Sequence, residues 1–387
     1  MQSHQQPQQP QHLSSSHITS QLIMTSSLEL TPLTMGPGRL FLNSQFCATV
    51  RTPPKDLSLS GKTAIVSGAN IGLGFTAARQ LLDHNLSRLI IAVRSAERGE
   101  AAAKTLRESH PDATVEVWSL DMLSYKSIQD FANRSSTLPR IDYVILNAGM
   151  VQEDFRLSPA GHEQVFQVNY LSTALLAILL LPVLKSKKAS GQPSRLTIVN
   201  SGTAFMAKFP EQDKIPMIAA FDDEKAFNAT DRYSTSKLLG HLFIIKLAEH
   251  VRREDVVVNL VDPGLCKGSG LHRHVGSLIK TIAEVGKSLT GRTLDVGAST
   301  YLDAAVVRGE ETHGSYLMDW KIFPFANIIY TPQGKTAREQ LWEETLQELD
   351  FAGSQSFKSD EPSVTAQLAD ARRRKSPRRS GPGTRIL

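Results

Sequence analysis

Six short apolar segments, each rich in β-branched residues, constrain this chain more than any other feature. They lie at 63–67, 88–93, 114–119, 142–146, 195–200 and 256–261, and longer amphipathic stretches separate them. Runs of this length read as buried strands and the spacers as helices. Strands and helices in alternation call for parallel pairing through crossover connections. The expected fold is therefore α/β, a Rossmann-type doubly wound parallel sheet with helices on both faces.

The ends read differently. Residues 1–55 begin with a Gln-, Ser- and Pro-rich stretch whose first basic residue is Arg39. So polar a segment cannot offset its ordering entropy, and it is expected to be a disordered extension. It lacks the basic n-region of a secretory signal and the arginines of a mitochondrial presequence. Residues 351–387 form a basic tail expected to be disordered, and residues 56–350 are left as one domain. From Ala352 onward there are eight Lys and Arg against three Asp and Glu, a surplus equal to the whole chain's net charge of +5. The body is thus about neutral, and no nucleic-acid partner is expected for it. "ARRRKSPRRS" reads as a solvated tail with the charge of an import or nucleic-acid patch.

Cys47 and Cys266 are the two cysteines, far apart and without metal-ligand spacing. Neither a disulfide framework nor a zinc site is suggested, and a reducing, cytoplasmic setting is expected. "ALLAILLLPVL", from Ala174, is too short by itself to span a bilayer. No transmembrane segment is expected, and the run reads as a core or subunit-interface helix.

"TAIVSGANIGLGFTAARQLL" carries Gly68, Gly72 and Gly74 directly after the first strand and at the start of the first helix. Glycines there let the backbone approach a pyrophosphate, whose charge the helix N-terminus stabilises. About twenty residues on, an NAD enzyme places a carboxylate for the ribose hydroxyls. This chain instead has Arg94 and Ser95. A guanidinium and a hydroxyl suit a 2′-phosphate, so the expected cofactor is NADP(H).

Tyr233 and Lys237 stand four residues apart, on one face of a predicted helix. An adjacent ammonium favours phenolate, so Tyr233 is expected to have a lowered pKa and to exchange a proton with a substrate oxygen. Ser201 follows the fifth strand, where this fold type places its ligand crevice.

Together these residues resemble the short-chain dehydrogenase/reductase family from about Leu57 to Leu349. "SGANIGLG" is similar to its cofactor signature, implying cofactor contacts from Ser67, Gly68, Asn70, Ile71, Gly72, Leu73 and Gly74. "LDM" implies an adenine contact at Asp121, and "LNAG" places Asn147, Ala148 and Gly149 in the fourth-strand motif. Asn169, from "VNY", matches the active-site Asn that holds a relay water, and Ser201, Tyr233 and Lys237 complete a catalytic tetrad, in which Tyr233 and Lys237 are also implied to contact the cofactor, Lys237 at the ribose. "VDPG" implies that Pro263 and Gly264 lie near the nicotinamide. The finer likeness is to a fungal branch related to retinol dehydrogenase-like enzymes, which often serves secondary-metabolite pathways.

The resemblance implies an oxidoreductase acting on a small lipophilic carbonyl or alcohol, with no metal. Reduction of a polyketide- or terpenoid-type carbonyl is the first reading. Oxidation of a retinol- or steroid-like alcohol is the second, and a catalytically idle dinucleotide-binding regulator is the alternative of another class. The long helix and the Tyr233 helix correspond to those forming a four-helix dimer interface in many relatives, implying a homodimer, with a monomer as the alternative.

Two departures stand out. Thirty-two positions separate Ser201 from Tyr233, so the stretch from Phe205 to Arg232 reads as an insertion near the substrate. Its Phe205, Met206, Phe209, Ile215, Met217 and Ile218 are expected either to line an apolar pocket or to pack the insertion down. After Pro263-Gly264 the family's usual Thr gives way to "LCKGSG", where Lys267 or the backbone is expected to substitute. The stretch from Leu265 to Thr293 reads as a lid, with His272 and His274 as loop residues.

Overall fold

The computed structural model describes residues 26–269 and 290–352. His272, His274, most of the expected lid and nearly all of the basic tail lie outside the described residues.

Among the described residues the strands are β1 (Thr63–Ser67), β2 (Arg88–Val93), β3 (Thr114–Ser119), β4 (Tyr143–Leu146), β5 (Ser194–Val199), β6 (Val256–Asp262), β7 (Ser315–Met318) and β8 (Lys321–Phe323). The α-helices are α1 (Ser26–Glu29), α2 (Pro37–Leu42), α3 (Gly72–Asp83), α4 (Ala96–Ser109), α5 (Tyr125–Ser135), α6 (Gln164–Phe166) and α7 (Ser172–Lys187). After these come α8 (Met217–Ala220), α9 (Ala229–Glu249), α10 (Leu294–Leu302) and α11 (Pro332–Glu348). All eight strands form one sheet in the order β3-β2-β1-β4-β5-β6-β7-β8. Every pairing is parallel except β7 with β8. The six expected strands and the doubly wound architecture are present, and β7 and β8 extend them.

Alternation along each strand divides the core. Ile65, Val144 and Leu146 face one apolar cluster, under α5, α7, α9 and α11. Ala64, Val66, Tyr143 and Ile145 face the other, under α3, α4 and α10. The strand order reverses between β1 and β4, which opens a crevice beyond their carboxyl ends. Residues 164–187 form one helix long and apolar enough to cross a membrane by composition, yet 83% of its apolar window is buried inside the protein. It is a core helix of the fold.

The N-terminal expectation needs correction. Residues 1–25 lie outside the described part, but Ser26–Cys47 contains α1, α2 and a π-helical turn at Asn43–Cys47. Ser27 is fully buried, where its Oγ accepts from the Tyr316 N–H at 2.9 Å. Tyr330 donates to the Ser27 carbonyl at 2.7 Å. A composition that cannot build a core of its own is ordered here by docking on the β7–β8 edge.

Candidate active site

The glycine turn joins β1 to α3. Gly68 and Gly72 have φ of +66° and +59°, a region that side chains rarely adopt. Close approach matters as well: a Cβ on Gly74 would stand 2.5 Å from Asn147 Nδ2 and 2.7 Å from the Gly68 carbonyl. The turn is therefore held against the end of β4. Ser67 Oγ accepts from the Asn147 and Ala148 N–H groups, both at 2.9 Å, and Asn147 Nδ2 donates back to the Ser67 carbonyl at 2.9 Å. Tyr301 completes this joint by donating to Asn147 Oδ1 at 3.1 Å.

At its start α3 has Ile71 as its cap residue, with no side-chain cap bond. Its first N–H groups thus remain available to an anion. A glycine-lined cradle ending on an uncapped helix fits a dinucleotide pyrophosphate. Asn70 and Ile71 lie at the rim of the turn, whereas the side chain of Leu73 packs against Gly297.

Arg94 is exposed just beyond β2. Ser95 has a structural task, since its Oγ accepts from the Arg98 N–H at 3.3 Å and caps α4. Asp121 follows β3, and its Oδ1 accepts from the Leu123 N–H at 3.0 Å.

The expected tetrad converges beyond β4 and β5. Ser201 is the second residue after β5, and its hydroxyl accepts from the Thr203 N–H and Oγ1 at 3.2 and 3.1 Å. The intervening insertion folds away, so the Ser201 hydroxyl comes near enough to the Tyr233 phenol to act on its proton. Lys237, one turn further along α9, donates to the Val199 carbonyl at 3.1 Å. Asn169 lies in a π-helical turn, Gln167–Leu171. Its Nδ2 donates to the Met150 carbonyl at 2.9 Å and to Ser236 Oγ at 3.1 Å, and its Oδ1 accepts from the Met150 N–H at 2.8 Å. Asn169 thus ties the loop after β4 to α9. A Cβ on Gly149 would lie 3.3 Å from Asn169 Oδ1 and 3.8 Å from Lys237 Nζ, so this loop passes beside both.

The electrostatics correct one expectation. Burial pushes the Tyr233 phenol well above its ordinary pKa; the Ser201 hydrogen bond opposes the rise and the charge of Asp262 adds to it. The Lys237 Nζ stands 5.7 Å from the Tyr233 ring centre, and Ser201, not Lys237, supplies the lowering interaction. Burial brings Lys237 itself down to about 8.

Asp262 was missed, although "VDPG" contains it. It ends β6, is buried, and its Oδ1 accepts from the Gly264 N–H at 3.0 Å. Burial raises its carboxyl to about 6. Arg232, next to Tyr233, was also missed. This buried guanidinium donates to Glu211 at 3.2 Å and pairs with Glu163 at 3.5 Å, linking the insertion to the Asn169 segment. Only the fold reveals these roles, since Asp262 acts on Tyr233 and Lys237 through space and Arg232 finds its partners across the insertion.

Within the insertion the packing reading prevails. Phe209, Met217 and Ile218 are buried in the core, and the Met217 and Ile218 N–H groups donate to the Glu344 carboxylate at 2.9 and 2.8 Å. Phe205 is partly buried against His241, Tyr316 and Phe323, while Met206 stays 53% exposed just beyond Ser201. Among the described residues no group of His, Cys, Asp and Glu could hold a metal ion.

Comparison with known proteins decides the family. The family model for short chain dehydrogenases matches residues 62–210. A fungal short chain dehydrogenase/reductase, mfmJ of Annulohypoxylon moriforme, is 51% identical over 333 residues, covering 85% of this chain and 96% of its own length. The chain belongs to the short-chain dehydrogenase/reductase family. The short chain dehydrogenase virL of Hypocrea virens is 44% identical over 344 residues, covering 89% of this chain and 99% of its own. Among solved structures, an uncharacterized protein from Mycobacterium paratuberculosis matches with TM-score 0.55 and 24% identity, over 78% of this chain and 98% of the other. A Pseudomonas aeruginosa RhlG/NADP active-site complex matches with TM-score 0.51 and 22% identity, over 71% and 98%. The short-chain dehydrogenase/reductase fold is thus common to all of them, and the chain is an oxidoreductase of that family.

Proposed function

We propose that this enzyme reduces a carbonyl of a small lipophilic metabolite, using NADP(H), in a fungal secondary-metabolite pathway. The observation that carries the reading is the gathering of Asn169, Tyr233 and Lys237 around the loop at Gly149, with Ser201 acting on the Tyr233 phenol, beside a glycine turn built for an anion. When bound, the nicotinamide dinucleotide supplies hydride to the carbonyl carbon. Ser201 Oγ donates a hydrogen bond to the carbonyl oxygen and orients it. Tyr233 delivers the phenolic proton to that oxygen, which becomes the alcohol hydroxyl. The Lys237 ammonium, charged at pH 7, offsets the phenolate that remains, and Tyr233 regains its proton from solvent. Asn169 holds the Met150 backbone and Ser236 in place around that path.

Arg94 supports the choice of NADP(H), because its exposed guanidinium follows β2 where no carboxylate stands. RhlG, a structural neighbour, is described in complex with NADP. Met206 and Phe205 beyond Ser201 support an apolar substrate. The small number of cysteines, Cys47 and Cys266 far apart in sequence, supports a reducing, cytoplasmic setting.

The test compares metabolites of source cells carrying the natural protein with those of cells carrying only Tyr233→Phe. A pair of compounds differing by two hydrogens, with the oxidised member accumulating in the mutant, is expected. Accumulation of the reduced member instead would assign alcohol oxidation, and identical profiles with the protein expressed would favour a non-catalytic regulator.

A further inference from the structure

The loop after β6 runs from Pro263 toward the glycine turn. At its far end the Ser269 carbonyl would stand 2.7 Å from a Cβ placed on Gly72. It therefore crosses the crevice between the end of β6 and the start of α3. Lys267 N–H donates to the Arg292 carbonyl at 3.0 Å and Arg292 N–H to the Leu265 carbonyl at 2.8 Å, so the loop is paired with the returning chain.

A residue far earlier in sequence closes the other side. Gln45 Nε2 donates to the Leu265 carbonyl at 2.9 Å and to the Thr290 carbonyl at 2.8 Å, while its Oε1 accepts from the Leu265 N–H at 3.2 Å. One amide thus satisfies both backbone groups of Leu265, as a neighbouring strand would, and holds the outgoing and returning chains together. Its neighbour Ser44 reinforces the clamp: its carbonyl accepts from Arg292 Nη2 at 2.7 Å, and its Oγ donates to Asp319 Oδ1 at 2.7 Å. Arg292 in turn donates to the Pro263 carbonyl at 3.1 Å and lies against Gly264, where a Cβ would stand 2.7 Å from Nη1. Gly264 has φ +74°, so both its backbone conformation and its contact exclude a side chain. The preceding helix α2 packs against the turn Gly202–Met206 that follows Ser201.

We infer that Gln45 is a positioning residue for the pyrophosphate–nicotinamide half of the cofactor site, acting through the Pro263–Ser269 loop. Gln45 lies outside the residues that match the family model, 62–210. The loop it holds is the one in which Gly264 is followed by Leu265, Cys266 and Lys267 instead of leading to the family's usual Thr. The N-terminal segment thereby becomes part of the active site's frame. The inference rests on the reading of the crevice as a dinucleotide site.

The test uses the full chain with Gln45→Leu and Gln45→Glu. Glu keeps the volume and the acceptor but cannot donate to two carbonyls; Leu removes all three bonds. Gln45 is only partly buried, so neither change disturbs the core. Dissociation constants are measured for NADPH and NADH, and for adenosine 2′,5′-bisphosphate and AMP, which lack the pyrophosphate–nicotinamide half. Loss of two or three hydrogen bonds is expected to weaken the preferred dinucleotide about tenfold in both variants, with its adenosine fragment unchanged within about twofold. Unchanged dinucleotide affinity overturns the inference, and so does equal weakening of dinucleotide and fragment, which would mark a general structural role. If the natural protein binds neither dinucleotide, the cofactor reading itself fails, a result visible before any variant is made.

Discussion

Asn200 Nδ2 donates to the main-chain carbonyl of Lys237 at 3.0 Å, and its Oδ1 accepts from the Ser201 N–H at 2.6 Å. One buried amide thus fixes the residue before Ser201 to the turn of α9 that follows Tyr233. A Cβ on Gly240 would stand 2.6 Å from that Nδ2, so the helix must carry glycine where Asn200 docks. Asn200→Ala is expected to cost about 1–3 kcal/mol of stability, read by denaturant unfolding. Gly240→Ala displaces the amide without removing it, and should lower kcat by about 10- to 100-fold with cofactor affinity retained.

Arg94 sets the choice between cofactors under the proposed function. Arg94→Ala is expected to weaken NADPH about tenfold or more and to leave NADH within about twofold, in direct binding titrations. Equal effects on both would remove the 2′-phosphate from its role.

The Lys237 ammonium is held at about 8 by burial, below its ordinary 10.5. Its charged form is disfavoured in the folded state, so below pH 8 the group costs stability, on the order of 3 kcal/mol. Between pH 8 and 10.5 the unfolded chain binds more protons, and stability from this group rises with pH. Lys237→Met should therefore have a higher Tm than the natural protein at pH 7, with the gap shrinking toward pH 10.5. Turnover should be lost. A constant gap across this range would show that the ammonium is not strained by its site.

His162 behaves in the opposite sense. Burial alone would lower it, but Asp222 and Glu348, at 2.9 and 3.0 Å from its two ring nitrogens, together raise it to about 9. Its contribution is fully present below pH 6.5 and is lost as pH rises through 9. His162→Gln is expected to cost about 2 kcal/mol at pH 6, and little above pH 9, by unfolding at each pH. Because Asp222 belongs to the insertion and Glu348 to α11, the natural protein should also lose protease resistance in the insertion at alkaline pH.

Much of the fold was legible because β1 to β6 are short runs rich in β-branched residues, and spacing alone marked Gly68, Gly72 and Gly74. The hairpin β7–β8 was not. Its strands hold four and three residues, and its turn places Asp319 and Trp320 at φ of +55° without the glycine that usually signals such a turn. The docking of Ser44 and Gln45 was equally invisible, since their partners lie more than two hundred positions away and polar composition argued against order. At the tetrad, residue types and intervals were readable, but the protonation balance was not. That Ser201 moderates Tyr233, and that Asp262 sits near both, follows from burial and distance.

The insertion is fastened mainly at its back: the Glu344 carboxylate takes the Met217 and Ile218 N–H groups, and Gln340 donates to the Lys214 carbonyl at 2.7 Å. These anchors come from α11 and bind main chain, so they are indifferent to most side chains they carry. Mutational drift can therefore exchange residues on the exposed front of the insertion, Met206 among them, without loosening its mooring. Under the proposed function, such an arrangement would let one scaffold acquire new substrates by small steps.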